Sequence, residues 1–224
     1  MKKYVFTGET KTVEVKLETV TLHRIKAVAE FGSVEIGDLS GWIEKEKNLS
    51  HEGMAWVSDN AVICGNAMVS DNAEVFDNAV VRGNAMVSDN AVVFDNAEVS
   101  DNAVVRGNAV ICGNAMVSDN AVVYGDAVVY GDAEVFDNAV VRGNAAVYGD
   151  AVVFGNAVVD DSARVFGNAV VRGNAEVFGN AEVFGNAAVY GNAVVYGDAE
   201  VFDNAEVFGN AVVYGNDVVC DIEG

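Results

Sequence analysis

Two histidines and three cysteines are the side chains of this chain best suited to proton transfer or nucleophilic attack near neutral pH. His23 and His51 both precede residue 55, and residues 55–219 contain no histidine and no lysine. A general base or nucleophile therefore has no partner within this long region. We predict no catalytic residue, and we interpret the two histidines and Trp42 as packing or surface residues of an N-terminal segment.

The other residues with possible chemistry are cysteines and regularly spaced carboxylates. The spacing of Cys64, Cys112 and Cys220 matches no metal site, so we interpret them as unpaired thiols. Carboxylates at a regular spacing could share Ca²⁺, although the Gly-Gly-x-Gly-x-Asp pattern of calcium-binding rolls is absent. We favour a solvated acidic edge and predict no metal and no cofactor. The two aspartate series are Asp59, Asp77, Asp95 and Asp101, Asp119, Asp137.

The elements that must position these side chains are repeats of six residues. Every sixth residue from Val57 to Val219 is Val or Ile, and every sixth residue from Ala55 to Ala211 is Ala. The hexad reads Ala-x-Val-z and then a pair made of Gly or Asp followed by Asn or Asp, with Asp161-Ser162 as the one odd pair. Ala and Val are two apart and share one side of a strand, whereas x and z face the other side. The pair that follows is typical of tight turns, so each hexad predicts a short strand and a corner.

Strands this short must stack on copies of themselves. Three hexads close a triangular coil of 18 residues, which predicts an all-β, left-handed parallel β-helix of about nine coils spaced by ~4.8 Å. Ala and Val should be buried, and x and z exposed. Cys112 and Cys220 would then lie on one face but about 29 Å apart, too far for a disulfide.

The hexads resemble those of the hexapeptide-repeat superfamily, in which an aliphatic residue is followed four places later by a small one. The resemblance covers residues 55–219 and implies the β-helix. In acyltransferases of that superfamily it also implies a histidine base on the helix and an extruded loop. In its γ-class carbonic anhydrases it implies three histidines that bind zinc. Neither pattern occurs in these hexads. We therefore predict that the chain is not an enzyme.

Residues 1–54 lack the hexad, and we predict that they cap the helix formed by residues 55–224. Alternating side chains predict strands at Tyr4–Phe6, Thr12–Lys16 and Glu18–Ile25, whereas Lys45–Ser50 is polar. This segment resembles the leader of uncharacterised bacterial and phage-associated hexapeptide-repeat proteins, which brings no activity with it. The matching residues are Leu22–Ile25, Phe31-Gly32, Gly37–Leu39, Gly41–Glu44, Asn48–Ser50 and Ala55–Val57, with Ser40 where Gly is expected.

Charge is concentrated on the repeats. The chain has a formal net charge of −21, and nearly all of it falls after residue 56. Such a surface repels nucleic acid and anionic membranes, so we expect neither as a partner, and a basic protein is a possible one. The N-terminus has no secretory or membrane-spanning pattern, which leads us to expect a cytoplasmic location.

The outward columns indicate the function. One side carries an aromatic row at z (Phe76, Phe94, Tyr130, Tyr148, Phe166, Phe184, Phe202), and another carries Val104, Val122, Val140 and Val158 at x. Near-identical segments recur at offsets that are not a whole number of coils, which would scramble a binding face. We predict a rigid spacer or self-associating scaffold. The alternatives are an acidic module for a basic partner, such as a nucleic-acid mimic, and a hexapeptide-repeat acyltransferase.

The last hexad suggests how copies of the chain meet. Asp217 replaces the regular Ala at an inward position, and the segment 216–224 is too short for a capping helix. An open coil edge invites strand pairing, and an inward charge discourages it. We expect a homo-oligomer of two or three chains, formed through these last coils or through the Val104–Val158 column.

Overall fold

The fold is seen in a computed structural model that describes residues 2–15 and 18–221. After an N-terminal segment, the chain forms a series of short strands, one in each hexad. They are β4 Trp56–Val57, β5 Val62–Ile63, β6 Met68–Val69, β7 Glu74–Val75, β8 Val80–Val81, β9 Met86–Val87, β10 Val92–Val93, β11 Glu98–Val99, β12 Val104–Val105, β13 Val110–Ile111, β14 Met116–Val117, β15 Val122–Val123, β16 Val128–Gly131, β17 Glu134–Val135, β18 Val140–Val141, β19 Ala146–Gly149, β20 Val152–Val153, β21 Val158–Val159, β22 Arg164–Gly167, β23 Val170–Val171, β24 Glu176–Val177, β25 Glu182–Val183, β26 Ala188–Val189, β27 Val194–Val195, β28 Glu200–Phe202, β29 Glu206–Val207, β30 Val212–Val213 and β31 Val218–Cys220.

Every third strand belongs to the same parallel sheet, so the solenoid has three faces. The first face runs from β4 to β31, the second from β5 to β29, and the third from β6 to β30. Paired residues are three hexads apart in sequence, as in the pairs Val92 with Val110 and Val93 with Ile111. The predicted triangular β-helix with three hexads per coil is confirmed.

The core consists of the two regular hexad positions. From Ala55 to Val201 every Ala and every Val or Ile in phase is fully buried. Each such residue lies between equivalent residues of the neighbouring coils, which removes its whole apolar surface from water. In the last coil Ala211 and Asp217 are exposed because no further described coil covers them.

The outward positions are less exposed than expected. Most x and z side chains are half-buried, and Cys64 and Ser100 are almost fully covered. Side chains in neighbouring coils are separated only by the strand spacing, so the members of a column cover one another. The outer surface is therefore a set of packed columns.

The corners bend at their first residue. That residue has a positive φ whether it is Asp, as in Asp59 with φ 55°, or Gly, as in Gly125 with φ 81°. Asp is one of the few residues with a side chain that tolerate this conformation. The first corner position can therefore be Asp or Gly without a change in backbone conformation.

The N-terminal segment forms an antiparallel β cap, and the stacking begins inside it. β1 (Tyr4–Val15) pairs with β2 (Glu18–Ala27), and β2 pairs with β3 (Leu39–Ile43). The three predicted strands of this region thus lie within β1 and β2, and Lys16 lies outside the described residues. β3 then pairs in parallel with β5, and Leu49 forms a parallel bridge with Val69. These two contacts add a coil, which brings the total to about ten turns.

The cap closes the end of the core with polar contacts as well as apolar ones. A 3-10 helix, Glu46–Asn48, follows β3, and the Asn48 side chain donates to the Ala67 carbonyl over 2.7 Å. The Tyr4 hydroxyl lies within hydrogen-bond distance of the carbonyls of Glu46 and Leu49, at 2.7 and 2.9 Å. These bonds pair backbone carbonyl groups at the end of the solenoid that would otherwise be exposed at an open coil edge.

Candidate functional site

His51 lies in the cap with both ring nitrogens engaged. Nδ1 accepts from the Lys3 amide at 3.3 Å, and Nε2 lies 3.0 Å from the Glu46 carboxylate. Its ring also stacks on Tyr4 with centroids 4.3 Å apart. A general base needs a free lone pair directed at a substrate, and this arrangement offers none.

His23 in β2 and Trp42 in β3 are both half-buried in the cap sheet. The His23 ring packs against Phe6 with centroids 4.8 Å apart. The Trp42 ring is covered by the Lys11 ammonium at 4.6 Å and the Arg24 guanidinium at 5.5 Å. Cation–π contacts of this kind hold the cap hairpin against β3.

The three cysteines are free thiols with different surroundings. Cys112 and Cys220 share the first face, and Cys64 lies on the second face. The cap hairpin covers Cys64, which is only 1% exposed, and burial raises the pKa of its thiol to about 11. A thiol held protonated in this way is a poor nucleophile.

The corner carboxylates bind the backbone of the next coil. Where an Asp corner is followed by a Gly corner, the Asp Oδ2 accepts the Gly amide, as Asp95 does from Gly113 at 3.1 Å and Asp137 from Gly155 at 3.2 Å. The described residues include no group of three or more His, Cys, Asp or Glu side chains that could hold a metal ion. The corner aspartates can therefore be explained by hydrogen bonds along the edge.

Asparagine ladders are the feature that the sequence reasoning missed. Along the edge that follows the second face, the Nδ2 atom of each asparagine donates to the Oδ1 atom of the asparagine one coil further on, at 2.9–3.2 Å. The sequence pattern that could have predicted this ladder is an Asn at the second corner position of every third hexad. The nine members are Asn66, Asn84, Asn102, Asn120, Asn138, Asn156, Asn174, Asn192 and Asn210.

Three of the shorter ladders on the other edges end at a carboxylate. Asn114 donates to Asp132 at 2.8 Å, Asn108 to Asp126 at 2.7 Å, and Asn180 to Asp198 at 2.9 Å. A carboxylate accepts but cannot donate, so it can only be the last member. The ladder also places the negative charge at the end where amide N–H groups point.

The predicted aromatic row is a continuous stack over five coils of the first face. Centroids are 4.8–5.0 Å apart and ring planes are inclined by 0–11°. Its members are Tyr130, Tyr148, Phe166, Phe184 and Phe202. Phe76 and Phe94 form a separate pair, because Cys112 interrupts the row. The rings face one another along the solenoid, which stiffens the column.

A groove opens where the cap meets the first face. Its volume is about 410 Å³, and its lining includes Phe31, Met54, Trp56, Ser58, Glu74 and Phe76. Loop residues 31–34 form one wall, and strands β4 and β7 form the floor. Aromatic walls beside one carboxylate suit a cationic or amphipathic group.

Two comparisons with known proteins match the repeats. A family model described as the YdcK β-solenoid repeat matches residues 109–125 and 117–131. Over 80 residues the chain is 32% identical to a protein of Escherichia coli (strain K12) named "Uncharacterized acetyltransferase YdcK". These matches and the solenoid fit a hexapeptide-repeat β-helix.

The similarity to YdcK is partial on both sides. It covers 34% of this chain and 24% of the YdcK sequence, so the matched segment spans about a quarter of that relative. A similarity this partial is evidence for the fold and not for a shared activity. Within the described part of the chain, no helix has the length and apolar character needed to cross a membrane.

Proposed function

We propose that this chain is a non-catalytic structural protein of the cytoplasm, which acts as a rigid spacer or a self-associating scaffold. The observation that carries the proposal is the unbroken stacking from Val57 to Val219, in which each hexad pairs with the third hexad after it. About ten coils at ~4.8 Å give a prism roughly 48 Å long. Neighbouring coils are joined at the core, at the corners and along the outward columns.

A stiff spacer should grow in proportion to the number of coils. A second copy of residues 103–156, inserted after Asn156, adds three coils in phase. X-ray scattering should then show a rod longer by about 14 Å with unchanged cross-section. An inserted copy of residues 103–154 breaks the hexad phase and serves as the control. A flexible or globular particle after the in-phase insertion would contradict the spacer.

The scaffold part of the proposal requires that the chain associates with itself. Sedimentation over a wide concentration range measures this directly. A monodisperse monomer up to the solubility limit would remove self-association and bring forward the acidic binding module. That alternative is supported by the net charge of −21 and predicts binding to a lysine-rich peptide but not to its glutamate-rich counterpart.

The name of the partial relative supports a second candidate, an acetyltransferase. Its direct test is calorimetric titration with acetyl-CoA, with free adenosine diphosphate as the control for nonspecific binding. Saturable binding of acetyl-CoA alone would favour the enzyme. We expect no heat beyond dilution. The cap also offers no free general base for acetyl transfer at His51, the histidine nearest to the coils, because both of its ring nitrogens are occupied.

A further inference from the structure

The first face carries the longest uncharged stretch of outward columns among the described residues. From β10 to β19 both columns hold only apolar or aromatic side chains and one cysteine. All of them are half-buried or exposed. We call this set the uncharged strip; it consists of Val92, Val110, Val128 and Ala146 at x, and of Phe94, Cys112, Tyr130 and Tyr148 at z. On a solenoid this acidic, a strip without charge is a candidate for contact with protein.

In the x column, two side chains of opposite charge flank the two ends of the uncharged strip. Glu74 lies one coil before Val92, and Arg164 lies one coil after Ala146. Both side chains are exposed. Glu74 makes no ion pair or side-chain hydrogen bond with any described residue. Arg164 contacts Glu182 through Nη1 at 2.9 Å, and 57% of its side chain remains accessible.

The unpaired carboxylate also faces the groove beneath the cap. Glu74 and Phe76 line this groove together with Trp56 and Phe31, whose rings meet edge to face with centroids 5.2 Å apart. A guanidinium group can pair with a carboxylate and stack on aromatic rings at the same time. The groove therefore suits an arginine side chain.

We propose that the uncharged strip is a dimerisation surface, covered by the same strip of a second copy in antiparallel orientation, with Arg164 of each copy entering the groove beside Glu74 of the other. The inference rests on the self-association part of the proposed function and names the surface that carries it.

The order of residues along the x column determines the orientation. A two-fold axis parallel to the strands, placed between β13 and β16, reverses the coil order and sets each column opposite itself. Val110 then faces Val128 of the second copy, and Glu74 faces Arg164. A two-fold axis along the solenoid would instead set x opposite z, and Glu74 would meet an aromatic ring. Only the antiparallel arrangement forms two ion pairs.

The size of the surface predicts weak association. Six coils at ~4.8 Å and strands of four residues give a footprint of roughly 29 Å by 13 Å, or about 380 Å². Stable complexes bury about 800 Å² on each partner, so this dimer belongs to the transient class. Acidic corners along the rim repel one another, and added salt should strengthen the dimer by screening them.

A charge-swap experiment tests the pairing. Sedimentation equilibrium of the full chain should give a dimer for the wild type. Glu74→Arg and Arg164→Glu should each weaken dimerisation about ten-fold, since each replaces two attractions by two repulsions. The double variant E74R/R164E restores both pairs and the net charge, and should recover dimerisation to within about three-fold of wild type. Glu134→Arg, at the same hexad position on the second face, controls for the change in net charge.

The outcomes separate this surface from self-association itself. If the wild type stays monomeric, both the self-associating scaffold and dimerisation through the uncharged strip are contradicted. The wild type could instead associate while neither single variant weakens dimerisation, or while the double variant fails to restore it. Either result would support the self-associating scaffold but contradict the uncharged strip as its interface. The paired change Val122→Lys with Val140→Lys on the third face should leave the dimer intact. If this paired change abolished association, the interface would lie on the third face and not on the uncharged strip. Circular dichroism confirms that each variant is folded.

Discussion

The ammonium group of Lys47 lies 2.7 Å from Oδ1 of Asn66, the first residue of the nine-membered asparagine ladder. Within the ladder every Oδ1 atom except the first accepts from the preceding coil. Lys47 supplies the donor that Asn66 would otherwise lack, as a lysine does at the carbonyl end of a helix. The edge of the solenoid is thus closed by the cap with the same hydrogen-bond polarity that runs through its length.

Breaking the ladder in the middle should destabilise the solenoid. Asn138 accepts from Asn120 and donates to Asn156, each at 3.2 Å. Asn138→Ala removes both bonds and should cost about 1–2 kcal/mol, measured as a lower denaturation midpoint. Asn144→Ala is the matched control, because Asn144 has the same corner position and no side-chain bond to a described residue. Equal losses in the two variants would show that the ladder is energetically neutral.

A second prediction concerns the buried hydroxyl of Ser40. This residue is fully buried in β3, and its Oγ atom has no partner among the described residues. An unsatisfied buried hydroxyl is costly, so Ser40→Ala should stabilise the protein by about 1 kcal/mol. Ser58→Ala should not stabilise, because the Ser58 hydroxyl donates to Asp59. A lower melting temperature for Ser40→Ala would contradict the absence of a partner.

A third prediction follows from the environment of Lys3. Its ammonium donates to the carbonyls of Glu52, Gly53 and Ala55 and lies over the Phe31 ring, and burial lowers its pKa to about 8 from 10.5. Between these values the unfolded chain binds more protons than the folded one, so this group makes stability rise with pH across that window.

Lys3→Met isolates the contribution of Lys3. The stability of wild type minus that of Lys3→Met should increase between about pH 8 and pH 10.5 and be level below pH 7. Lys26→Met, at an exposed position of β2, should show a smaller change over the same range. A difference that falls as pH rises would mean that the three carbonyl bonds outweigh burial and hold the ammonium charged.

A fourth prediction uses the thiols to detect movement of the cap hairpin. Alkylation requires the thiolate, and a pKa of about 11 leaves roughly one thiol in a thousand ionised at pH 8. Cys64 should therefore react more slowly than the half-buried Cys112 and Cys220, as peptide mass spectrometry can show. Cys64→Ser should leave the rates of the other two unchanged. Equal rates at all three sites would mean that the hairpin opens readily over Cys64.

Much of the fold follows from the sequence because one pattern sets both the core and the coil. Val57 and its counterparts determine which side of each strand faces the core, and the period of three hexads determines which strands pair. The cap was harder to predict, because β3 and Leu49 join the stack through a longer corner than the others. The burial of Cys64 depends on a hairpin distant in sequence. The contact of Lys47 with Asn66 needs a register that only the folded cap defines.

Residues 222–224, the last three positions that the sequence analysis considered for association, lie outside the described residues. The Asp217 carboxylate, expected at an inward position, accepts from the Tyr214 amide at 3.3 Å within its own corner. Its side chain is exposed. The local hydrogen bond satisfies one backbone group of the terminal corner.

The longer corner between Leu49 and Val57 affects how the chain finds its native register during folding. A slip of one full coil would preserve every buried Val and Ala and most asparagine bonds, and it would cost chiefly the closure of a loop one coil long. Coils of near-identical sequence cannot correct such an error among themselves. Tyr4, Asn48 and Leu49 each fit only the first coil, where the spacing differs from all later turns. Folding that begins at the cap would therefore set the correct register for every later coil. Folding that begins in the middle would produce misfolded chains whose coils are stacked one coil out of register.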